Sequence, residues 1–482
     1  MRWTAVVTCA AGLVLGVAGG MLGAGAAAPA PSPQAHPALD WLADQMAANG
    51  GTIPGFAAGS TDWGLTADAI LAFAAAGRST DAAAVTATDE LTAHASEFTT
   101  WTTGPDTVRD AGATAKTVLA LRSSGRIATA QGVDLEAALR SLLVTSGPRT
   151  GRFADLVGDP TWDAANGFAQ SLSIMALSLT DAGVPDSAVA YLLLQQCPAG
   201  GFRLDLSGPA GCESDSNADT DATALALQAL LGVDRTPAVG AALAEGTAWL
   251  LGRQGSDGSF GGAGPTAAPN ANSTGLAAQY LRAAGLTDAA DRAAGWITGC
   301  CQLTSPGADG TPAASDVGAI GYNGTARDAA LAGGLGTTVD QWRRTTAQAV
   351  LALGLSPYGP QDVDPLPPVA TTTSTSTSTT SSTSTTTTTT SPADTTSTVP
   401  GPTATTDTGP TNTDPNASPA VEGEQLSSGA SGSAAGGGTS GSAGASSGLA
   451  RTGEDPVLLL GTAVLLIAVG AVLATASRRD PV

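Results

Sequence analysis

Between residues 38 and 355, two kinds of helical segment alternate six times, and few folds can absorb such a pattern. One kind carries charge together with large apolar residues: Ala38–Ala47, Asp81–Glu97, Asp134–Thr145, Asp186–Gln196, Val239–Arg253 and Asp288–Thr298. The other is rich in small residues and apolar around most of its circumference: Gly64–Ala76, Ala111–Ser123, Gly167–Thr180, Thr220–Leu231, Ser273–Ala284 and Arg344–Leu353. An amphipathic helix keeps one face for solvent, whereas a helix that is apolar all round has to be packed on both sides. The interleaving, at a spacing of roughly 50 residues, gives six hairpins with one outer and one inner helix each. Six such hairpins close on themselves as an all-α, single (α/α)6 toroid over residues 36–360. Closure also explains how roughly 320 residues can share one core, more than an ordinary single core supports. Tandem two- and three-helix bundles are the alternative.

The flanking segments are of other kinds. Residues 1–35 begin Met1-Arg2-Trp3, continue as an apolar run to about Leu22, and reach the small-residue stretch Ala24–Ala28. This is the layout of a secretory signal peptide, with cleavage expected between about residues 26 and 35. Residues 361–448 are nearly pure Thr and Ser at first and then rich in Pro, Asp and Gly, with no hydrophobic period. No core can offset the chain entropy there, so a disordered stalk is expected.

Residues 457–476 are nearly all apolar, and Arg478 and Arg479 follow them. A run of that length is enough to cross a bilayer as a helix, with the basic pair on the cytoplasmic side. Just ahead stand Leu449, Ala450, Arg451, Thr452 and Gly453. This order resembles the cell-wall sorting signal of Gram-positive surface proteins, in the L-A-x-T-G variant handled by class E sortases. The resemblance implies sortase and peptidoglycan as partners, through attack on the Thr452–Gly453 bond and an amide link from Thr452 to the wall. The chain would then be an exported, wall-anchored surface protein whose precursor is held in the plasma membrane by the helix. A plain single-pass anchor with a chance pentapeptide is the other reading.

The formal net charge is −21, and Lys116 is the one lysine among 20 basic residues. Such acidity excludes nucleic acid, whose binders need a basic face. It suits a soluble exported protein.

Inside the helical region, Tyr191-Leu192, Gln196 and Gly200-Gly201-Phe202 are repeated by Trp249-Leu250, Gln254 and Gly258-Ser259-Phe260. Trp41-Leu42 and Trp296-Ile297 look like decayed copies. These segments resemble the QW repeat of terpene cyclases and protein prenyltransferases, which implies the squalene-cyclase-like α/α toroid. The toroid is reused for many functions, so the resemblance speaks to fold more than to activity.

Asp219-Thr220-Asp221-Ala222-Thr223-Ala224 opens the fourth inner segment and is similar to the Asp-x-Asp-Asp-Thr-Ala motif of squalene–hopene-type cyclases. In those enzymes the middle acid protonates an alkene. Paired carboxylates push one pKa upward, which is how a carboxyl keeps a proton to donate. Here the third acid is replaced by Ala222, and few aromatic residues (Phe73, Phe168 and Tyr280) fall on inner segments to line a carbocation cavity. The plainer expectation is helix capping by Asp219 and Asp221, since Asp62, Asp110 and Asn270 fall at matching starts of other inner segments.

A prenyltransferase zinc needs Asp, Cys and His together. His36 and His94 cluster with no cysteine, so neither a metal nor another cofactor is expected. Cys197 and Cys212 flank one turn and are expected to pair, leaving Cys300 and Cys301 as neighbours of undecided pairing. The functional expectation is a surface module, more a binder than an enzyme, holding a small or apolar ligand or a partner. The alternatives are a degenerate terpenoid-cyclase-like enzyme using Asp219 and Asp221, and a carbohydrate-active (α/α)6 enzyme.

Overall fold

A computed structural model describes residues 31–358, apart from 58, 104, 105 and 209. Its helices run α1 (Ala35–Ala47), α2 (Trp63–Ala75), α3 (Ala82–Ala93), α4 (Ala95–Thr99), α5 (Ala111–Ser123), α6 (Leu135–Ser141) and α7 (Gly167–Ser178). They continue as α8 (Asp186–Leu193), α9 (Thr220–Leu231), α10 (Pro237–Leu251), α11 (Ala271–Ala283), α12 (Thr287–Trp296), α13 (Gly324–Gly333) and α14 (Val339–Ala349). Three two-stranded antiparallel ribbons join them: β1 (Thr100–Thr103) with β2 (Asp106–Arg109), β3 (Thr129–Ala130) with β4 (Val133–Asp134), and β5 (Phe202–Arg203) with β6 (Ala218–Asp219).

Helices α2, α5, α7, α9, α11 and α14 each pack on the next, and α14 packs back on α2, so they form a closed ring. Their residues are buried almost throughout, as in α9, where all of Thr220–Leu231 is buried. Helices α1, α3, α6, α8, α10 and α12 pack outside this ring with one face buried. The result is an all-α, toroid-like fold. Its departures from the expected segments are local: α6 is shorter, α14 begins five residues early, and α13 occupies the last long connection.

The turn from each outer helix to the next inner helix explains the alternation. Gly51, Gly151, Gly200, Gly258 and Gly318 lie two residues before Ile53, Phe153, Phe202, Phe260 and Ile320, and all five have φ between 95° and 105°. A Cβ on Gly200 would overlap the Glu245 carbonyl of α10, and one on Gly318 would overlap the Pro37 carbonyl of α1. Only glycine combines that conformation with such an approach. The residue two places on then donates its N–H to a threonine of the inner helix, in the first turn for Ile53 to Thr66, Phe202 to Thr223 and Phe260 to Thr274, and two turns into α14 for Ile320 to Thr346, at 2.8–3.0 Å. Phe153 uses Gln170 in the same way. Five turns of one design are therefore present, although two are plain in the sequence.

The glutamines complete the joint. Gln196 Nε2 donates to the carbonyls of Gly200 and Ala242, and Gln254 Nε2 to those of Gly258 and Ala289. Gln302 Nε2 donates to Gln34 at 2.9 Å, and Trp41 Nε1 donates to Asp316 at 3.0 Å, which ties the last repeat to the first. Ring closure is thus made by side chains far apart in the chain.

One expectation is corrected. Among the described residues no helix is long and apolar enough to cross a membrane. The longest, α10, has 15 residues and spans roughly 22 Å against a hydrocarbon core of about 30 Å. The expected membrane helix over 457–476 falls outside the described residues, and both it and the membrane-held precursor are withdrawn. Residues 1–30 of the expected signal peptide, the stalk and the sorting pentapeptide Leu449–Gly453 likewise lie outside the described residues.

Candidate functional site

Five inner helices begin with a side chain that caps them. Asp62, Asp110, Asn166, Asp219 and Asn270 each accept N–H bonds from the first turn of the helix that follows. These caps put the helix starts at one end of the ring. The second residue of each helix is one step inward: Gly64, Gly112, Phe168, Asp221 and Asn272, with Arg344 at the matching place in α14, two residues before Thr346. Along this row of positions Gly64, Gly112 and Phe168 are apolar, whereas Asp221, Asn272 and Arg344 are polar.

The two acids of α9 have different roles. Asp219 Oδ1 accepts from Ala222 N at 2.7 Å. Burial raises its pKa, and the N–H groups of Ala222, Asp221 and Ala263 oppose the rise. Asp221 is not the cap. It is buried, and its Oδ1 has no hydrogen-bond partner. Burial, then the Asp219 charge, push its pKa up to about 8, against a smaller lowering by the Ser273 hydroxyl. At neutral pH Asp221 is therefore mainly an uncharged acid with a proton to share.

Unpartnered groups continue on the next inner helices. Ser273 Oγ and Asn272 Oδ1 on α11 and Thr345 Oγ1 on α14 also lack hydrogen-bond partners. Ser273 lies close enough to lower the Asp221 pKa without making a bond of good geometry. The other end of the Asn272 amide donates to Gln348 Oε1 at 2.7 Å, which orients it. Tyr322, half-buried on the loop before α13, accepts from Ala271 N through its carbonyl. Its phenol is pushed upward by burial and then by the Asp221 charge. Buried polar groups are nearly always bonded; these four atoms on three neighbouring helices are among fifteen such atoms in the described residues, and Asp221 and Ser273 are the two shown to be close.

The rest of the rim is tied internally. Arg344 bridges Asp62 at 2.6 Å and Asp340 at 2.8 Å, and lies over the exposed Phe56 ring at 5.2 Å. Lys116 of α5 pairs with Asp68 of α2 at 2.7 Å, and both are buried. No cluster of three or more potential metal ligands occurs among the described residues. Cys197 is joined to Cys212 with their Cα atoms 4.8 Å apart, and Cys300 is joined to Cys301.

The structure therefore separates Asp219 from Asp221 and adds Ser273, Asn272, Thr345 and Tyr322 to the site. Asn272 and Ser273 stand at the second and third positions of α11, Tyr322 stands on the loop before α13, and Thr345 directly precedes the Thr346 that takes the Ile320 N–H.

No protein-family model matches the chain, and no curated protein matches it. Among solved structures, a protein from Actinoplanes is 20% identical, covering 66% of this chain and 97% of its own, with TM-score 0.42. Candida albicans protein geranylgeranyltransferase-I with GGPP is 11% identical, covering 66% and 90%, with TM-score 0.43. The unsaturated glucuronyl hydrolase of Bacillus sp. GL1 is 12% identical, covering 67% and 98%, with TM-score 0.42. These likenesses select no family for this chain.

Proposed function

We propose that the toroid is a binding module that holds a small, uncharged ligand at the helix-start mouth of the ring. The observation that supports this most is the set of unpartnered atoms at Asp221, Asn272, Ser273 and Thr345. A ligand hydroxyl or carbonyl would satisfy groups that the protein leaves open, which is the usual source of specificity in an otherwise apolar site. The neutral Asp221 carboxyl offers a donor, the Asn272 oxygen an acceptor, and the two hydroxyls either. Phe168, Gly64 and Gly112 hold the matching positions on α7, α2 and α5, so an amphiphilic ligand would meet apolar as well as polar residues there.

A second reading is favoured by one feature. An acid that keeps its proton to about pH 8 beside a second carboxylate can protonate a bound ligand as well as hold it. One substitution separates the two. Asparagine at 221 can donate a hydrogen bond but cannot release a proton at neutral pH. A panel of isoprenoid alcohols and neutral disaccharides, followed by saturation-transfer NMR and product analysis, provides the readout. As a binding module, the parent and Asp221→Asn both bind a panel member, Asp221→Ala does not, and no product forms. Product formed by the parent and lost in Asp221→Asn would establish the acid. Binding that survives Asp221→Ala unchanged would remove Asp221 from the site.

A further inference from the structure

The segment that follows α14 crosses the axis of the ring. Ser356 N donates to the carbonyl of Ala75, the last residue of α2, at 2.9 Å. Gln279 Nε2 of α11 donates to the Ser356 carbonyl at 2.6 Å. Two residues on, Tyr358 N donates to Gln228 Oε1 of α9. In the ring order α2, α5, α7, α9, α11, α14, helices α2 and α9 stand opposite one another. Six helices packed at 8–10 Å leave a bore of order 10 Å between opposite surfaces. A segment of three residues bonded to both sides of that bore has to fill it. The Tyr358 side chain is buried, and its phenol is held far above the ordinary range by burial and by the Asp68 carboxylate of α2.

We infer that Tyr358 is the floor of the axial site, closing the ring from the helix-end side so that ligand enters at the mouth alone and to a limited depth. This rests on the reading of the mouth as a ligand site. Asp221 and Gln228 are seven residues apart on α9, so the floor lies roughly 10 Å below the acid at 1.5 Å per residue. Tyr358 thereby sets which ligands fit by their length. The amide nitrogen of Gln228, buried and without a partner, lies at the same level as the floor.

The test uses the full chain carrying Tyr358→Ala. Removing a ring from a buried, closed space leaves a void that a small aromatic of the same shape can refill. The melting temperature of Y358A should fall by several degrees and be restored in part by p-cresol, which should leave the parent unchanged. The longest 1-alkanol that binds by saturation transfer should also be longer in Y358A than in the parent. Tyr358→Cys gives an independent check: its thiol should resist a small alkylating reagent until the chain unfolds. Equal melting of Y358A and parent, no rescue by p-cresol, an unchanged alkanol limit, or immediate alkylation of Y358C would overturn the floor. Rescue by p-cresol needs no ligand at the mouth. A chain that shows rescue and binds no alkanol would therefore fail the mouth reading while keeping the plug.

Discussion

Asp219 and Asp221 stand two residues apart at the start of α9, yet the first is bonded to the helix and the second has an oxygen bonded to nothing. Asp219 meets the N–H groups that every helix start leaves open. Asp221 lies two residues on, buried beside Ser273 of the next inner helix and with its Oδ1 unbonded. The same residue type two positions on is thereby changed from a helix cap to a buried acid whose pKa is pushed up to about 8.

Substitutions should separate these roles. Asp219→Ala removes a cap and should lower stability by about 1–2 kcal/mol, with Asp219→Asn costing less because asparagine caps about as well. Asp221→Asn should leave stability the same or higher at neutral pH, since it removes a buried carboxyl that resists ionisation. Urea denaturation of the variants at pH 7 provides the comparison. A larger loss in D221N than in D219A would show that Asp221 holds the helix.

Stability should fall as pH rises from about 4 to about 8. Asp221 is raised to about 8 and Asp155 to about 7, by burial first and by Asp219 and Asp110 respectively. Between the ordinary carboxylate value and these values the folded chain holds protons that the unfolded chain has lost, so the proton difference favours unfolding with increasing pH. The parent should therefore lose stability relative to D221N across this window, and the gap should stop growing above about pH 8. A melting temperature that rises from pH 5 to pH 8 equally in both proteins would contradict the assignment.

The Gly-x-aromatic turns should be intolerant of any side chain. Gly318→Ala would force a Cβ into the Pro37 carbonyl at a φ of 101° and so press open the joint between the last repeat and the first. A loss of about 3 kcal/mol or more is expected. Gly295→Ala, on α12 with open space around it, should change stability little. Equal effects of the two would mean that closure does not depend on this contact.

Much of the toroid was legible in the sequence because burial on one side or two leaves a compositional trace in every helix. The joints were harder to see. Ile53 and Ile320 replace the aromatic in two turns, and in the third the glutamine comes from the inner helix as Gln170, so the pattern survives in space where the sequence motif is broken. The site was less legible still. Asn272 and Ser273 come from α11 and Tyr322 and Thr345 from the last repeat, and each alone looks like an ordinary polar residue. Capping logic gave Asp221 the role of Asp219 because position in the chain does not reveal which carboxyl the neighbouring helix covers.

The buried Asp68–Lys116 pair should matter through its mutual satisfaction. Lys116→Met leaves Asp68 without its partner and should cost about 3–5 kcal/mol. The double change Lys116→Met with Asp68→Leu should recover most of that loss. A double variant as unstable as the single one would show that the charges serve something besides each other.

The most direct test of the proposed site is the titration of Asp221 itself, followed through the carboxyl carbons in a protein carrying 13C-labelled aspartate. One carboxyl, absent from the D221N spectrum, should change shift with a midpoint near 8, well above the usual aspartate range. A spectrum in which every aspartate titrates below about pH 5 would mean that Asp221 is ionised at neutral pH and has no proton to offer a ligand.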